Sequence, residues 1–172
     1  RAHPGAAGAI MDTQTYIGTW ERFRLVDVNS APPQVARPPP VRSDPKPVNP
    51  YTIVREEKFA LKTHHGTYVR AHPGGQGARM DVQTAIGAWE QFTLLYLSNG
   101  KVALRTLHNT FVRTHPGGHS ARVDVQTYIG PWETYDLIRN ADGTVSFKSI
   151  HGTFLRAHPG AAGAIMDTQT YI

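Results

Sequence analysis

Cysteine is absent from all 172 residues of the chain. The protein therefore has no disulfide framework and no thiolate that could act as a nucleophile or metal ligand. No apolar run approaches the roughly 20 residues that span a bilayer as a helix, so we expect no insertion into a membrane. No stretch keeps an apolar period of about 3.6 residues either, and we therefore expect few helices.

The side-chain arrangements that mark most enzymes are missing as well. No serine lies in a nucleophile elbow, and no HxH or HExxH spacing occurs. The glycine-rich residues 72–77 (HPGGQG) do not resemble a phosphate-binding loop. The candidate carboxylates recur three times, whereas enzymes seldom keep three identical sites in one domain. We therefore expect a non-enzymatic protein that uses no metal and no other cofactor.

The formal net charge is +5 at pH 7, and the basic residues are spread through the chain rather than clustered. This distribution argues against nucleic acid as a partner and fits a weak attraction to an acidic polysaccharide or a cell surface. The absence of cysteine fits an extracellular fibre, and we expect an extracellular location. The sequence begins with Arg1 and has no signal peptide, which suggests a processed, truncated or fragmentary polypeptide.

The two ends of the chain are identical. Residues 1–17 read RAHPGAAGAIMDTQTYI, and residues 156–172 repeat them letter for letter at an offset of 155. One closed domain has no use for two copies of one segment, whereas a window slightly longer than one period of a tandem array contains both. The duplication therefore predicts a tandem or polymeric arrangement of modules.

A shorter repeat of 43 residues is nested within the longer one. Residues 61–103 and 104–146 align without a gap, and a third copy begins at Phe147 and reaches the end of the chain. The continuation of this third copy lies at the front of the chain, where residues 18–28 (GTWERFRLVDV) match the corresponding part of both complete copies. The repeat therefore predicts one structural unit that occurs three times.

Each copy has the pattern of four short strands. Asn99-Gly100 is a strong hairpin signal, and Asp142-Gly143 takes its place in the next copy. Three copies of four strands predict an all-β domain with pseudo-threefold symmetry. In the first copy the strand patterns fall at residues 59–63, 68–71, 79–83 and 89–97.

The recurring motif L-[KR]-T-x-H-G-T-[YF]-[VL]-R-A, followed by T-x-I-G-x-W-E-x-[FY], resembles the fascin-like β-trefoil, the actin-crosslinking superfamily. Residues 129–133 (IGPWE) are similar to modules of this kind that are appended to secreted polysaccharide-degrading enzymes. The resemblance covers nearly all of the chain outside residues 29–53, and it implies a twelve-stranded β-trefoil. It leaves the function open, because the superfamily holds actin bundlers, sugar binders and appended modules of unknown ligand.

A proline-rich stretch divides the chain. Residues 29–53 contain eight of the thirteen prolines and are expected to form an extended polyproline II linker. On this interpretation, residues 1–28 are the last strands of a preceding or strand-exchanged trefoil, and residues 54–172 are a trefoil that lacks its final strand. The alternative is a long surface loop inserted into one domain.

The missing final strand corresponds to residues 18–28, and something must take its place because an open sheet edge exposes the core. Three alternatives are open. The array continues, residues 1–28 of a neighbouring chain supply the strand, or the chain's own residues 1–28 close the sheet. Exchange with a neighbour propagates as a fibre unless it closes into a ring. Closure by the chain's own strand displaces one of the two identical 17-residue copies.

Histidine, aspartate and glutamine recur at equivalent positions and form a candidate sugar-binding site in each copy. Each histidine lies in an HPG corner, where a carboxylate and an amide below a glycine-rich loop could hold sugar hydroxyls. The HPGG motif is similar to the H-P-x-G-G motif of galactose-binding trefoil lectins but is one residue shorter. The alternative is that the corner only turns the chain. The candidate residues are His72, Asp81, Gln83, His115, Asp124, Gln126, His158, Asp167 and Gln169.

Four further sets have structural interpretations. The arginines that precede those histidines by two residues are expected to pair with the aspartates across strands. The tryptophans could stack on a pyranose, but the family resemblance implies packing at the barrel base, and the glutamates after them should bind loop amides. The remaining histidines are expected to bond local backbone and orient a turn. The sets are Arg70, Arg113 and Arg156; Trp20, Trp89 and Trp132; Glu21, Glu90 and Glu133; His65, His108 and His151.

Together these patterns favour a non-enzymatic structural or adhesive protein, built of tandem or head-to-tail modules that form a fibre or a bead-on-string array. The first alternative is a carbohydrate-binding, lectin-like module with up to three equivalent sites at the HPG loops. The second alternative is an actin-binding or actin-crosslinking protein. The expected partners are further copies of the module and, on the lectin hypothesis, glycans.

Overall fold

The structure is a computed structural model that describes residues 19–28 and 50–171. These residues form twelve β-strands and two short 3₁₀ helices, Thr19–Glu21 and Pro131–Glu133. Strand accounts for 49% and helix for 4%, so the all-β class and the expected scarcity of helix are confirmed. The strands are β1 (Phe23–Asp27), β2 (Ile53–Thr63), β3 (Tyr68–Ala71), β4 (Met80–Gln83), β5 (Gln91–Leu97), β6 (Val102–Thr106), β7 (Phe111–Thr114), β8 (Val123–Gln126), β9 (Tyr135–Arg139), β10 (Val145–Ser149), β11 (Phe154–Ala157) and β12 (Met166–Gln169).

No helix within the two described segments is both long enough and apolar enough to cross a membrane.

The two predicted hairpin turns join β5 to β6 and β9 to β10. Gly100 and Gly143 adopt positive φ values of 81° and 78°, a conformation that glycine adopts at no steric cost. The turns are closed by backbone hydrogen bonds from Leu97 N–H to the Lys101 carbonyl at 2.9 Å and from Asn140 N–H to the Thr144 carbonyl at 2.8 Å. The prediction of hairpins from these dipeptides is therefore confirmed.

Six of the strands close into an antiparallel barrel in the order β1, β2, β5, β6, β9 and β10. Strand β10 returns to β1 through the pair formed by Phe23 and Val145, which completes the circle. The other six strands lie outside the barrel as three antiparallel pairs, β3 with β4, β7 with β8 and β11 with β12. Each pair follows a barrel strand and is joined to it at one register position.

This architecture corrects the predicted twelve-stranded β-trefoil with pseudo-threefold symmetry. The strands form a closed six-stranded antiparallel barrel with outer strands, which is not clearly a β-trefoil. One departure from threefold regularity is β2, which spans 11 residues while β6 and β10 span five each. A period in the sequence predicts the number and spacing of the strands. It carries no information on which strands meet at closure or on how far one of them extends past its neighbours.

Aromatic side chains fill the centre of the barrel. Phe23, Phe92 and Tyr135 occupy equivalent positions of the repeat and are at most 2% exposed. Phe147 packs against both Phe23 and Tyr135, with ring centroids 6.0 and 6.1 Å apart. Because the Tyr135 hydroxyl is completely buried, its hydrogen bonds must be made inside the protein. It donates to the Val112 carbonyl at 3.1 Å and lies 2.9 Å from Thr114 Oγ1, and burial raises the pKa of Tyr135.

Strand β1 closes the barrel within its own chain. It pairs along its whole length with residues 59–63 of β2, and its first residue, Phe23, is fully buried. This arrangement is the third of the alternatives for the missing strand, closure by the chain's own residues. Residues 1–18 and most of the proline-rich stretch, residues 29–49, lie outside the described residues. The division into 1–28, 29–53 and 54–172 stays a prediction.

Candidate functional site

An arginine, an aspartate and a histidine meet on the outer hairpin of the first copy. Arg70 on β3 lies directly opposite Asp81 on β4 and donates two hydrogen bonds to its carboxylate, at 2.7 and 2.9 Å. His72 comes two residues after Arg70, and alternation along the strand puts both side chains on one face. Its Nε2 lies 3.0 Å from the same carboxylate. One aspartate therefore holds both basic side chains.

The same geometry recurs in the other two copies, where the contacts of the arginine and the histidine with the carboxylate are 2.7 to 3.0 Å long. The expected pairing of arginine with aspartate across strands is therefore confirmed three times. The structure also brings together the histidine and aspartate of each candidate sugar site. These residues are Arg113, His115 and Asp124 in the second copy and Arg156, His158 and Asp167 in the third.

The three aspartates are buried, with exposures of 1%, 1% and 6% for Asp81, Asp124 and Asp167. A buried carboxylate is costly unless it is paired and hydrogen-bonded. Burial by itself would raise the pKa of Asp81, but the hydrogen bonds from Arg70 and His72 outweigh it, and the pKa is lowered. The same balance lowers the pKa of Asp167. The three carboxylates are thus hydrogen-bonded and enclosed, which is what a structural ion pair requires.

The three candidate glutamines lie at the ends of β4, β8 and β12. The Oε1 atoms of Gln83, Gln126 and Gln169 accept a hydrogen bond from the backbone N–H of the next residue, at 2.8, 2.8 and 3.1 Å. Within the described segments, no hydrogen bond joins a glutamine to the histidine–aspartate pair of its copy. The glutamine oxygen of each candidate site is therefore hydrogen-bonded to the backbone of its own loop rather than to the other two members.

Each tryptophan lies between histidines of two different copies. Trp89 has its ring centroid 5.8 Å from that of His72 in its own copy and 5.8 Å from that of His108 in the next. The same arrangement holds for the other two tryptophans, and each indole is 39% exposed. The tryptophans, which were expected to pack at the barrel base, are thus only partly buried. The remaining contacts are Trp132 with His115 and His151, and Trp20 with His158 and His65.

The backbone N–H groups of the second histidine set are held at the turns, and the expected bonding of the imidazoles to local backbone stays a prediction. The His65 N–H donates to Thr63 Oγ1 at 3.2 Å, and the equivalent bonds of His108 and His151 are 3.1 and 3.2 Å long. The Nε2 atoms of all three rings are buried and make no hydrogen bond. Each of these rings also lies edge-on to a neighbouring tryptophan, with ring centroids 5.5 to 5.8 Å apart.

The glutamates that follow the tryptophans hold loop backbone, as predicted. Glu90 Oε2 accepts a hydrogen bond from Gly87 N–H at 2.7 Å, and Glu133 Oε2 accepts one from Gly130 N–H at 2.8 Å. Glu21 occupies the equivalent position, and the glycine that corresponds to Gly87 and Gly130, residue 18, lies outside the described residues. Burial raises the pKa values of Glu21 and Glu133.

Two clefts open beside the tryptophans at equivalent places in the first two copies. The first has a volume of about 420 Å³ and is lined by Arg70, Gln83, Trp89 and Glu90 among others. The second, of about 280 Å³, is lined by the equivalent residues of the second copy. These clefts combine an aromatic face with a few polar groups, as small-molecule sites do. The sequence patterns did not predict that glutamine and tryptophan share a site, because only the folded loop between them brings them into one cleft.

The sugar-binding hypothesis stays a prediction, and it has a direct test. If the HPG corners hold the sugar, the triple variant His72→Ala, His115→Ala and His158→Ala loses the glycans that the wild-type protein binds on an array. The matched control is Gln83→Ala together with Gln126→Ala, which alters the clefts beside the tryptophans. Glycan binding that survives in the triple histidine variant but disappears in the control would move the site from the corners to the clefts.

The stability contributed by His65 and by two of the buried aspartates is expected to be lost as the pH falls. Burial lowers the pKa of His65 below its ordinary 6.5, so the unfolded chain takes up this proton at higher pH than the folded protein does. The contribution of His65 is therefore complete above pH 6.5 and is lost as the pH falls from 6.5 towards the folded pKa. The lowered pKa values of Asp81 and Asp167 add a second loss that begins near pH 3.8.

The buried glutamates act in the opposite direction. Because the pKa values of Glu21 and Glu133 are raised above 4.5, their contribution is lost as the pH rises from 4.5 through the folded pKa. The His65 loss runs down from pH 6.5 and the glutamate loss runs up from pH 4.5, so the two act in opposite directions over the same range. Urea unfolding midpoints at about pH 7, 5 and 3 are therefore compared between the wild-type protein and His65→Gln, which lacks only the His65 part. An identical change between pH 7 and 5 in both proteins would contradict the assignment to His65.

Comparison with known protein families gives one match. The model described as the FRG1-like domain matches residues 22–128, which include β1, the proline-rich stretch and the strands from β2 to β8. The match covers more than half of the chain. The comparison with curated proteins found no match to the chain.

Proposed function

The chain belongs to the FRG1-like domain family, which lies in the fascin-like superfamily, and on that premise we propose that it is a non-enzymatic structural module of a head-to-tail array. The observation that supports this proposal is that one repeat unit is formed jointly by the third copy, at the end of the chain, and by residues 19–28, near its beginning. In the first copy, Trp89 follows Gln83 through one short loop and contacts His72. In the third copy, Gln169 ends β12 and Trp20 contacts His158 in the same way.

Because the two 17-residue segments are identical, a longer polypeptide can form the same arrangement. A chain that continued beyond residue 172 into a second module would meet the sequence that now follows residue 17, because residues 1–17 repeat residues 156–172. The continuing strand would carry the same side chains as β1, including the buried Phe23. A covalent array therefore needs no rearrangement of the barrel.

A non-enzymatic role is supported by the state of the carboxylates. Each of the three buried aspartates already accepts hydrogen bonds from an arginine and contacts a histidine. A general acid or base needs a proton-transfer path to its substrate. These groups instead join two strands of an outer hairpin, and they recur with the repeat.

The size of the native polypeptide tests the proposal. We expect native material to run well above 19.0 kDa under denaturing conditions, with limited proteolysis giving a ladder spaced by one period. Recovery of the protein from the medium rather than from cells tests the expected extracellular location. A native polypeptide of 19.0 kDa that sediments as a monomer would remove the array.

A second candidate function is actin crosslinking, and membership of the fascin-like superfamily favours it. Crosslinking needs at least two actin sites on one particle, and an array of modules supplies several. Co-sedimentation with filamentous actin tests this candidate. Pelleting at high speed shows binding, and additional pelleting of actin at low speed shows bundling. Protein that stays in the supernatant at both speeds would exclude this function.

A further inference from the structure

A cleft beside β1 and β2 concentrates basic side chains. Its volume is about 440 Å³, within the range of small-ligand sites. It lies between the two strands, the turn that follows β2 and the turn between β9 and β10. The lining residues are Arg22, Arg24, Lys62, Thr63, His64, Gly66, Asp142 and Thr144.

The charges in this cleft do not balance. Its walls carry the permanent cations Arg22, Arg24 and Lys62 and a single carboxylate, Asp142. Asp142 is held by Arg22 at 2.7 Å. Within residues 19–28 and 50–171, neither Arg24 nor Lys62 forms an ion pair with a carboxylate. The cleft therefore has an excess of two positive charges.

The register of the sheet places two of these cations directly opposite each other. Arg24 on β1 is the cross-strand partner of Lys62 on β2. Side chains at such positions have Cβ atoms about 5 Å apart, and like charges there destabilise a sheet. Both side chains line the cleft, and Lys62 Nζ also lies 5.9 Å from the centre of the Tyr68 ring.

The other two junctions between copies show that the barrel does not require this arrangement. At the equivalent cross-strand positions, Thr93 pairs with Arg105 and Asp136 pairs with Lys148. Neither pair combines two like charges, and the second combines opposite charges. The unfavourable pair occurs at one junction of three, the junction that has the basic cleft.

Two further basic residues of the cleft are also confined to this junction. Arg22 corresponds to Gln91 and Thr134, and His64 corresponds to Leu107 and Ile150. Neutral residues occupy these positions at the other two junctions. The repeat therefore does not require this concentration of positive charge.

We propose that this cleft binds a tetrahedral oxyanion, the phosphate or sulfate group of a small ligand. Arginine and lysine make short, charge-assisted hydrogen bonds to such groups. An oxyanion between Arg24 and Lys62 replaces their mutual repulsion with two attractions, so binding stabilises the sheet. A nucleic acid backbone needs a row of phosphate contacts, whereas this site is one cleft at one junction between copies of the repeat.

The first test measures binding and stability together. Titration of the wild-type protein with inorganic phosphate, inorganic sulfate, a sugar phosphate or a sulfated disaccharide, at constant ionic strength, should shift the backbone amide resonances of Thr63, Gly66 and Thr144 and raise Tm. The tightest ligand of the four identifies the source of the oxyanion. If none of them shifts these resonances, the proposal is wrong.

The second test uses variants whose effects have opposite signs. Arg24→Asp reproduces the opposite-charge pair of Asp136 with Lys148, so it should raise Tm without ligand and weaken binding of inorganic phosphate by about tenfold or more. Lys62→Gln should weaken binding to a similar extent. Arg105→Gln removes the equivalent cation of the second copy and should leave phosphate affinity within about twofold. An equal loss of affinity in Arg105→Gln would show non-specific attraction and overturn the proposal.

Discussion

Replacement of Asp124 by asparagine is expected to destabilise the protein by about 3 kcal/mol or more, because it removes one charge from a buried ion pair and leaves the other without compensation. Asp124 is 1% exposed and Arg113 is 7% exposed. The carboxylate accepts two hydrogen bonds from Arg113, and His115 and Arg122 each approach it at 3.0 Å. The asparagine amide fills the same space but puts donors opposite donors. Urea unfolding followed by circular dichroism measures the change in the free energy of unfolding.

The matched control is Asp136→Asn, which also breaks an ion pair. Asp136 accepts a hydrogen bond from Lys101 at 2.7 Å, but its side chain is 54% exposed. Water screens such a pair, so the expected loss is about 1 kcal/mol or less. If Asp124→Asn costs no more than this control, the set is not a buried structural pair. Its carboxylate would then be open to a ligand, as the sugar-binding hypothesis requires.

The three copies form an internal series for the same substitution. The arginine side chains of the first, second and third sets are 17%, 9% and 4% exposed. An uncompensated guanidinium is costlier where less water reaches it. We therefore expect Asp81→Asn to be the mildest of the three substitutions. An order unrelated to burial would indicate that neighbours such as Arg79 and Arg122, rather than solvent, determine the cost.

The local features of this fold were readable from the sequence, since they depend on neighbours along the chain. Alternation along β3 places Arg70 and His72 on one face, and the repeat shows that an aspartate faces them each time. The turn dipeptides Asn99-Gly100 and Asp142-Gly143 specify their hairpins by backbone geometry alone. The loop glutamates Glu90 and Glu133 follow the same logic, because each binds an amide three residues away.

Features that join different copies were not readable in this way. The contact of Trp89 with His108 crosses from one copy to the next, and the repeat pattern gives no distance between them. The pairing of Arg24 with Lys62 depends on β1 meeting β2 across the proline-rich stretch. The architecture of the barrel was likewise not readable from the sequence, because closure is decided by long-range packing rather than by strand propensity. The basic cleft becomes visible only once that closure is known.

Replacement of Phe23 by alanine is expected to destabilise the protein by about 3–5 kcal/mol, the range for a large-to-small change in a packed core. Phe23 is fully buried and packs on Phe147 at 6.0 Å. Its equivalent Phe92 is 2% exposed, so Phe92→Ala should cost a similar amount. Phe23→Leu, with an expected loss nearer 1–2 kcal/mol, keeps the measurement possible if the alanine variant fails to fold. A loss below about 1 kcal/mol for Phe23→Ala would mean that β1 is not part of the folded barrel.

The dependence of Tm on protein concentration shows which chain supplies β1. Because the chain's own β1 pairs with β2 and β10, Tm should stay constant over about a hundredfold range of concentration. A strand donated by a neighbouring chain makes unfolding a dissociation, and Tm then rises with concentration. Constant Tm together with a large loss in Phe23→Ala places closure within the chain and leaves covalent continuation as the route to an array. If Tm rises with concentration and Phe23→Ala causes the same loss of stability, the barrel is correct but its β1 strand comes from a neighbouring chain. The array is then a non-covalent fibre.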